Sequence, residues 1–196
     1  MLNNIFNYFS YYQWWKNLDK FIFTLIITLF LIGLFFSLVS TSLIASDKLE
    51  TNSYFFFFKH LVFVFIGLLL IFLFSYINQR NLYKISIYIF LLSFVLLLLV
   101  PIIGVEVKGS KRWLDLFFLP RLQPIELVKP FFIVILGLII SNDKLHNYTL
   151  KFIISLLLTF SIILLLVIQP DLGQTLLIGF SWIILIFISG INLIIL

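Results

Sequence analysis

The chain has 196 residues, of which 63% are hydrophobic and 11% charged, and its mean hydropathy is +1.21. A soluble domain of this size has too little interior for so much apolar surface, and disordered chains are poor in these residue types, so the composition points to an integral membrane protein. The absence of cysteine excludes disulfides, thiolate zinc sites and thiol catalysis, and the net charge of +5 is scattered through loops without the basic block that nucleic-acid binding requires.

Spanning a hydrocarbon core of about 30 Å takes about 20 apolar residues in a helix, and the sequence offers six such stretches. They are Phe21 to Ser46, Leu61 to Gln79, Ile85 to Gly104, about Pro124 to Asn142, Phe152 to Pro170, and Leu172 to Leu196. The runs are continuous instead of alternating, which predicts helices and makes membrane strands improbable. The fold class expected is therefore all-α, a polytopic transmembrane helical bundle of about six spans. A single transmembrane domain over 1–196 is expected, with residues 1–19 cytoplasmic and residues 105–123 forming an extracytoplasmic loop. His60 and His146 are too few and too far apart for a histidine metal cluster.

Orientation rests on Lys and Arg near the span ends. With the N-terminus inside, Lys16, Lys20, Arg80, Lys84, Lys144 and Lys151 face the cytoplasm, against Lys48, Lys59, Lys108, Lys111, Arg112, Arg121 and Lys129 outside. Five of the latter fall between Lys108 and Lys129; if these serve a site and not topology, the balance favours a cytoplasmic N-terminus. Trp14 and Trp15 suit an interfacial anchor at that end.

The window Glu106 to Lys129 holds eight of the 21 charged residues. Its middle, Trp113 to Leu119, is apolar except for Asp115 and is expected to lie in the interface or dip into the membrane. Glu126 and Lys129 fall inside the fourth span, where an ionisable side chain costs roughly 2.5–3.5 kcal/mol at the centre and usually faces a cavity or a partner. Their i, i+3 spacing places both on one face, so they are expected to pair, and Pro130 removes an amide donor one turn after Glu126.

Gln123-Pro124-Ile125-Glu126 opens the fourth span and Gln169-Pro170-Asp171 opens the sixth. Proline suits a first helical turn and an acid there complements the helix dipole. Spans four and six run in the same direction, so both N-termini are expected at one side. Beside Lys108, Lys111, Arg112 and Lys129 they would seat an anionic headgroup.

These residues also carry a family resemblance. Lys108-Gly-Ser-Lys-Arg-Trp-Leu114 followed by Leu122-Gln-Pro-Ile-Glu-Leu-Val-Lys129 resembles the KGxxRW…QPSExxK signature of the SEDS family (FtsW, RodA and SpoVE). Gln169-Pro-Asp-Leu-Gly-Gln-Thr175 resembles its QPDxGT motif, and Phe187-Ile-Ser-Gly190 the end of the next helix. Trp14-Trp15, Asp19, Val107-Lys108-Gly109 and Val128-Lys129-Pro130 are more similar to the division-type FtsW branch than to the elongation-type RodA branch.

The resemblance implies an inner-membrane peptidoglycan glycosyltransferase of cell division and cell wall synthesis. It would polymerise lipid II, an undecaprenyl-pyrophosphate-linked disaccharide peptide, with a class B penicillin-binding protein and divisome membrane proteins. It covers the N-terminal half of a roughly ten-span fold, so the family's catalytic aspartate is expected beyond Leu196 and no acid of this chain replaces it. Substrate-binding or cavity residues would be Lys108, Lys111, Arg112, Gln123, Glu126, Lys129, Gln169 and Asp171, with Arg112 gripping phosphate oxygens. Membrane lipids are expected as partners; a divalent cation is compatible with the resemblance but is not assigned. A lipid II transporter or flippase, or a non-enzymatic divisome scaffold, is the alternative. Two departures from the pattern are Ile125 in place of the usual Ser, and a stretch Asp115 to Arg121 without the expected glycine.

Overall fold

The computed structural model describes residues 14–16, 18–49, 54–107, 109–115, 121–143 and 145–190, with side chains from 40 to 49 excepted. Among them are six long helices: α1 (Lys20–Leu49), α2 (Phe55–Ser75), α3 (Gln79–Ile103), α4 (Pro124–Ile140), α5 (Tyr148–Ile168) and α6 (Leu172–Ile188). Each coincides with one expected span. In α1, α2, α3 and α5 there is a segment long and apolar enough to cross a membrane, whereas α4 and α6 have 17 residues each, about 25 Å of helix. The all-α polytopic reading holds, with one addition: a short antiparallel hairpin, β1 (Val105–Val107) and β2 (Ser110–Trp113), follows α3.

The chain divides into two compact units, Met1–Leu82 and Tyr83–Leu196. In the first, Asp19 opens α1 by accepting the Phe21 and Ile22 amides on Oδ1, at 3.0 and 3.1 Å. The side chains of α2 include no buried residue, and α1 and α2 meet through small-against-large contacts. His60 lies against Gly33 and Phe30 against Gly67, so each glycine receives a ring from the facing helix. Helix α2 starts six residues before the uncharged run, because Lys59 and His60 do not interrupt helical hydrogen bonding. At its far end Trp14 donates from Nε1 to Ser75 Oγ at 2.7 Å and stacks on Tyr76 with centroids 5.4 Å apart.

The second unit has a true core. Phe90 and Leu97 of α3 meet Ile125, Val128, Phe132 and Leu136 of α4, with Ile162, Leu165 and Leu166 of α5 and Ile178 of α6. The α4 residues recur at three- and four-residue steps, the stripe of a helix buried on one face. The buried face of α5 is partly polar: Lys151, Ser155 and Thr159 occupy its first turns, and Ile162, Leu165 and Leu166 follow. Trp182 Nε1 donates to Ser155 Oγ at 3.1 Å, tying α6 to α5. Lys151, expected only as a flanking charge, is buried; its Nζ donates to the Ile140 carbonyl at 2.9 Å and so caps the C-terminus of α4.

Helix α3 ends where Gly104 donates its amide to the Val100 carbonyl at 2.8 Å. A Cβ at 104 would collide with that carbonyl oxygen, so the close approach requires glycine. The hairpin turns at Gly109, whose φ is +79°, and sets Glu106 opposite Lys111. Val105 and Val107 suit a strand, but three residues are too few to register against a search for long apolar runs. Beyond β2, Leu114 and Leu122 exchange backbone hydrogen bonds of 2.8 and 3.0 Å. Leu114 is buried within the protein, and residues 116–120 of that expected segment lie outside the described residues.

Candidate functional site

The site lies at the end of the second unit where α3 and α5 finish and α4 and α6 begin. Asp171 is the N-cap of α6: its Oδ1 accepts the Gln174 amide at 3.4 Å, and its carbonyl accepts both the amide and the hydroxyl of Thr175. Just before it, Gln169 is buried and turns its amide Nε2 to the Leu97 carbonyl at 3.4 Å. That carbonyl is available because its helical partner would be residue 101, and Pro101 has no N–H. A proline in α3 thus creates the acceptor that fixes the Gln-Pro-Asp turn.

Arg112 of β2 closes the turn from outside. Its Nη2 donates to the Pro170 carbonyl at 2.5 Å, its Nε to the Gln169 carbonyl at 3.4 Å, and Nε also lies 3.7 Å from Asp171 Oδ2. The Asp171 side chain is 9% exposed and that of Arg112 33%, so the pair is largely shielded. Gln123, the N-cap of α4, reaches the same Asp171 oxygen with Nε2 at 3.4 Å.

One turn further on, Glu126 receives Lys129 Nζ at 2.7 Å on Oε2 and Gln174 Nε2 at 3.1 Å on Oε1. The expected i, i+3 pair is therefore present. Glu126 is half-exposed at 51% and Lys129 is 20% exposed, so the pair borders water on one side. Gln123–Asp171 and Glu126–Gln174 are two rungs, each joining residues 48 apart. Equal offsets mean that the first turns of α4 and α6 run side by side in the same direction, as the two Gln-Pro openings suggested.

A cavity of about 280 Å³ adjoins the turn, lined by Glu106, Ser110, Lys111, Gln169 and Pro170 among others. Of the eight expected site residues, Arg112, Gln123, Gln169 and Asp171 form one connected cluster, Glu126 and Lys129 a second beside it, and Lys111 lines the cavity. Lys108 lies outside the described residues. Sequence reasoning passed over Gln174, which links the two clusters and whose buried Oε1 has no partner among the described residues. The signal was its place one turn after Asp171 in the motif already singled out. Electrostatically the arrangement differs from two bare dipole ends beside free cations. The start of α6 is filled by its own Asp171 carboxylate, Arg112 is held by that acid and two carbonyls, and Lys129 by Glu126. Among the described residues no three His, Asp or Glu side chains converge as a metal site.

The profile of the FtsW/RodA/SpoVE family, described as cell cycle proteins, matches residues 19–196. The probable peptidoglycan glycosyltransferase FtsW of Wigglesworthia glossinidia brevipalpis is 33% identical over 178 residues, covering 89% of this chain and 46% of the relative. A chain of a peptidoglycan synthase complex, solved for the coordination of polymerization and crosslinking, superposes with a TM-score of 0.69 at 26% identity, over 87% of this chain and 48% of that one. The rod shape determining protein RodA of Thermus thermophilus gives 0.59 at 27% identity, over 83% and 53%. The chain spans about half the length of the curated relatives it matches. Sequence profile and helical architecture converge: this multi-pass membrane chain belongs to the FtsW/RodA/SpoVE family.

Proposed function

We propose that the chain forms part of a division-type peptidoglycan glycosyltransferase, and that the paired starts of α4 and α6 build the polar wall that receives lipid II. The observation that carries this reading is the two-rung ladder Gln123–Asp171 and Glu126–Gln174, locked by Arg112 onto the Gln169-Pro170 carbonyls. Such a wall is preorganised: its donors and acceptors are held before a ligand arrives. Lys111, in the cavity wall, would meet a pyrophosphate, and Lys108, three residues earlier in the sequence, is assigned the same role. Gln123, Glu126, Lys129, Gln169 and Asp171 act as positioning residues. Arg112 has two donor nitrogens committed within the chain, so it orients the loop and offers a phosphate only its remaining N–H groups.

In this reading six spans cross the bacterial inner membrane, with the N-terminus cytoplasmic and the hairpin outside. A class B penicillin-binding protein and divisome membrane proteins are the partners. Glycosyl transfer needs a base for the acceptor hydroxyl, a contribution of about 10²–10⁴ in rate. Glu126 and Asp171 are both engaged by cationic and amide partners, so neither is assigned that role.

The purified 196-residue chain in liposomes, with labelled lipid II and a class B partner, tests this. Binding that falls on Lys111→Ala, without polymer formation, is the expected result. Absence of binding would refute the substrate assignment. Polymer that disappears in Asp171→Asn would make Asp171 the base, and translocation of labelled lipid II without polymer would turn the assignment to transport. A periplasm-dependent reporter fused after Leu196 should stay silent if the orientation is right.

A further inference from the structure

Helix α6 opens with Asp171-Leu172-Gly173-Gln174, the spacing of a capping box. In that motif the N-cap side chain accepts the amide of the third helical residue, whose own side chain reaches back to accept the N-cap amide. Only the first half forms here. Asp171 Oδ1 accepts the Gln174 amide, but the Asp171 amide is donated to the Leu166 carbonyl at 3.0 Å, in the turn that ends α5. Gln174 Oε1 thereby loses its local donor; it is enclosed beyond the reach of water and has no partner among the described residues. The other end of the same amide, Nε2, crosses to α4 and donates to Glu126 Oε1 at 3.1 Å. Turning the amide over would set its oxygen against that carboxylate oxygen, so the orientation is fixed.

Stability by itself favours an apolar side chain at 174. Water can replace a donor lost at Glu126, which is 51% exposed, but it cannot supply the donor missing at the enclosed Oε1. What glutamine adds is direction. Lys129 holds one oxygen of Glu126 and Gln174 holds the other, so the plane of the carboxylate is set from two helices. A carboxylate has about four acceptor positions, and these two donors leave the rest open. They can take only O–H or N–H donors, which a sugar carries and an ionised phosphate does not.

We propose that Gln174 is a positioning residue, which aims the Glu126 carboxylate at the hydroxyl and amide N–H donors of the disaccharide of lipid II. This assignment rests on the lipid II reading above and deepens it: the sugar meets the Glu126–Gln174 rung, while the pyrophosphate meets Lys111.

In the test, the 196-residue chain in liposomes is titrated with lipid II and with undecaprenyl pyrophosphate, which lacks the disaccharide peptide, and its thermal unfolding is followed in the same membranes. Gln174→Met keeps the length of the side chain and removes both its donor and its orphaned acceptor. It should unfold at or above the parent's midpoint, bind lipid II more weakly by on the order of tenfold, and bind undecaprenyl pyrophosphate as the parent does. Lys111→Ala should weaken both ligands. A lower midpoint in Gln174→Met with equal losses for both ligands would make Gln174 a brace of the fold and overturn the proposal. Unchanged lipid II affinity in Gln174→Met, with the Lys111→Ala loss intact, would also overturn it and leave the lipid II reading standing. A parent chain that binds neither ligand would remove the lipid II reading, and the role of Gln174 with it.

Discussion

The two units are built from similar apolar material and hold their helices by different means. In Met1–Leu82, the contacts of α1 with α2 include His60 against Gly33 and Phe30 against Gly67, and the described side chains of these helices are partly covered or exposed, with nearly none fully buried. In Tyr83–Leu196, a buried apolar core is joined at one end by a polar cluster whose members come from α3, β2, α4 and α6. Apolar side chains in a membrane do not distinguish a neighbouring helix from lipid, because both are equally dry. Hydrogen bonds and charge pairs do distinguish them, since a polar group left unpaired away from water is costly. The second unit therefore specifies its neighbours, whereas the first specifies mainly that its helices form.

This contrast is breakable by mutation. The largest effect is expected at Gly104, where Gly104→Ala drives a Cβ into the Val100 carbonyl and displaces the hairpin carrying Arg112. Its cost should exceed about 2 kcal/mol, read as lost resistance to detergent-induced unfolding. A Gly104→Ala variant as stable as the parent chain would remove the close approach from the account.

Arg112→Ala should come next, at about 2 kcal/mol, because it leaves a shielded Asp171 with amide partners only. Arg112→Lys should recover less than half, since one ammonium cannot reproduce a fork that reaches two carbonyls and a carboxylate. Full recovery by lysine in thermal unfolding would show that charge alone matters there.

Gln169→Leu should cost about 1 kcal/mol by orphaning the Leu97 carbonyl. In a Pro101→Ala background the helix supplies its own donor at 101, so the same change should become cheaper. Strict additivity in that double-mutant cycle would refute the link between the proline and the glutamine.

The smallest effects belong to the first unit. Gly33→Ala and Gly67→Ala place a Cβ at ordinary distances of 3.5 and 3.6 Å from His60 and Phe30. Each should shift stability by less than about 0.5 kcal/mol in the same unfolding assay. A loss matching that of Gly104→Ala would mean that α1 and α2 are as tightly specified as the second unit.

The sequence alone determined the helices, because runs of apolar residues in a membrane leave backbone groups no partners except their own helix. It also determined that Glu126 and Lys129 pair, since i, i+3 spacing is a local property of one helix, and it marked Gln123 and Gln169-Pro170-Asp171 as helix openings by the residue chemistry of first turns. The tertiary structure decided what those openings do to one another. Nothing local says that Pro101 frees a carbonyl for Gln169, 72 residues away from Leu97, or that Arg112 is consumed by two backbone carbonyls and an acid. Lys151 shows the same limit: near a span end it reads as a solvated charge, yet it is buried against the last carbonyl of α4. Long-range hydrogen bonds join groups whose identity the sequence displays and whose proximity only the packing of α3, α4 and α6 around a shared core creates.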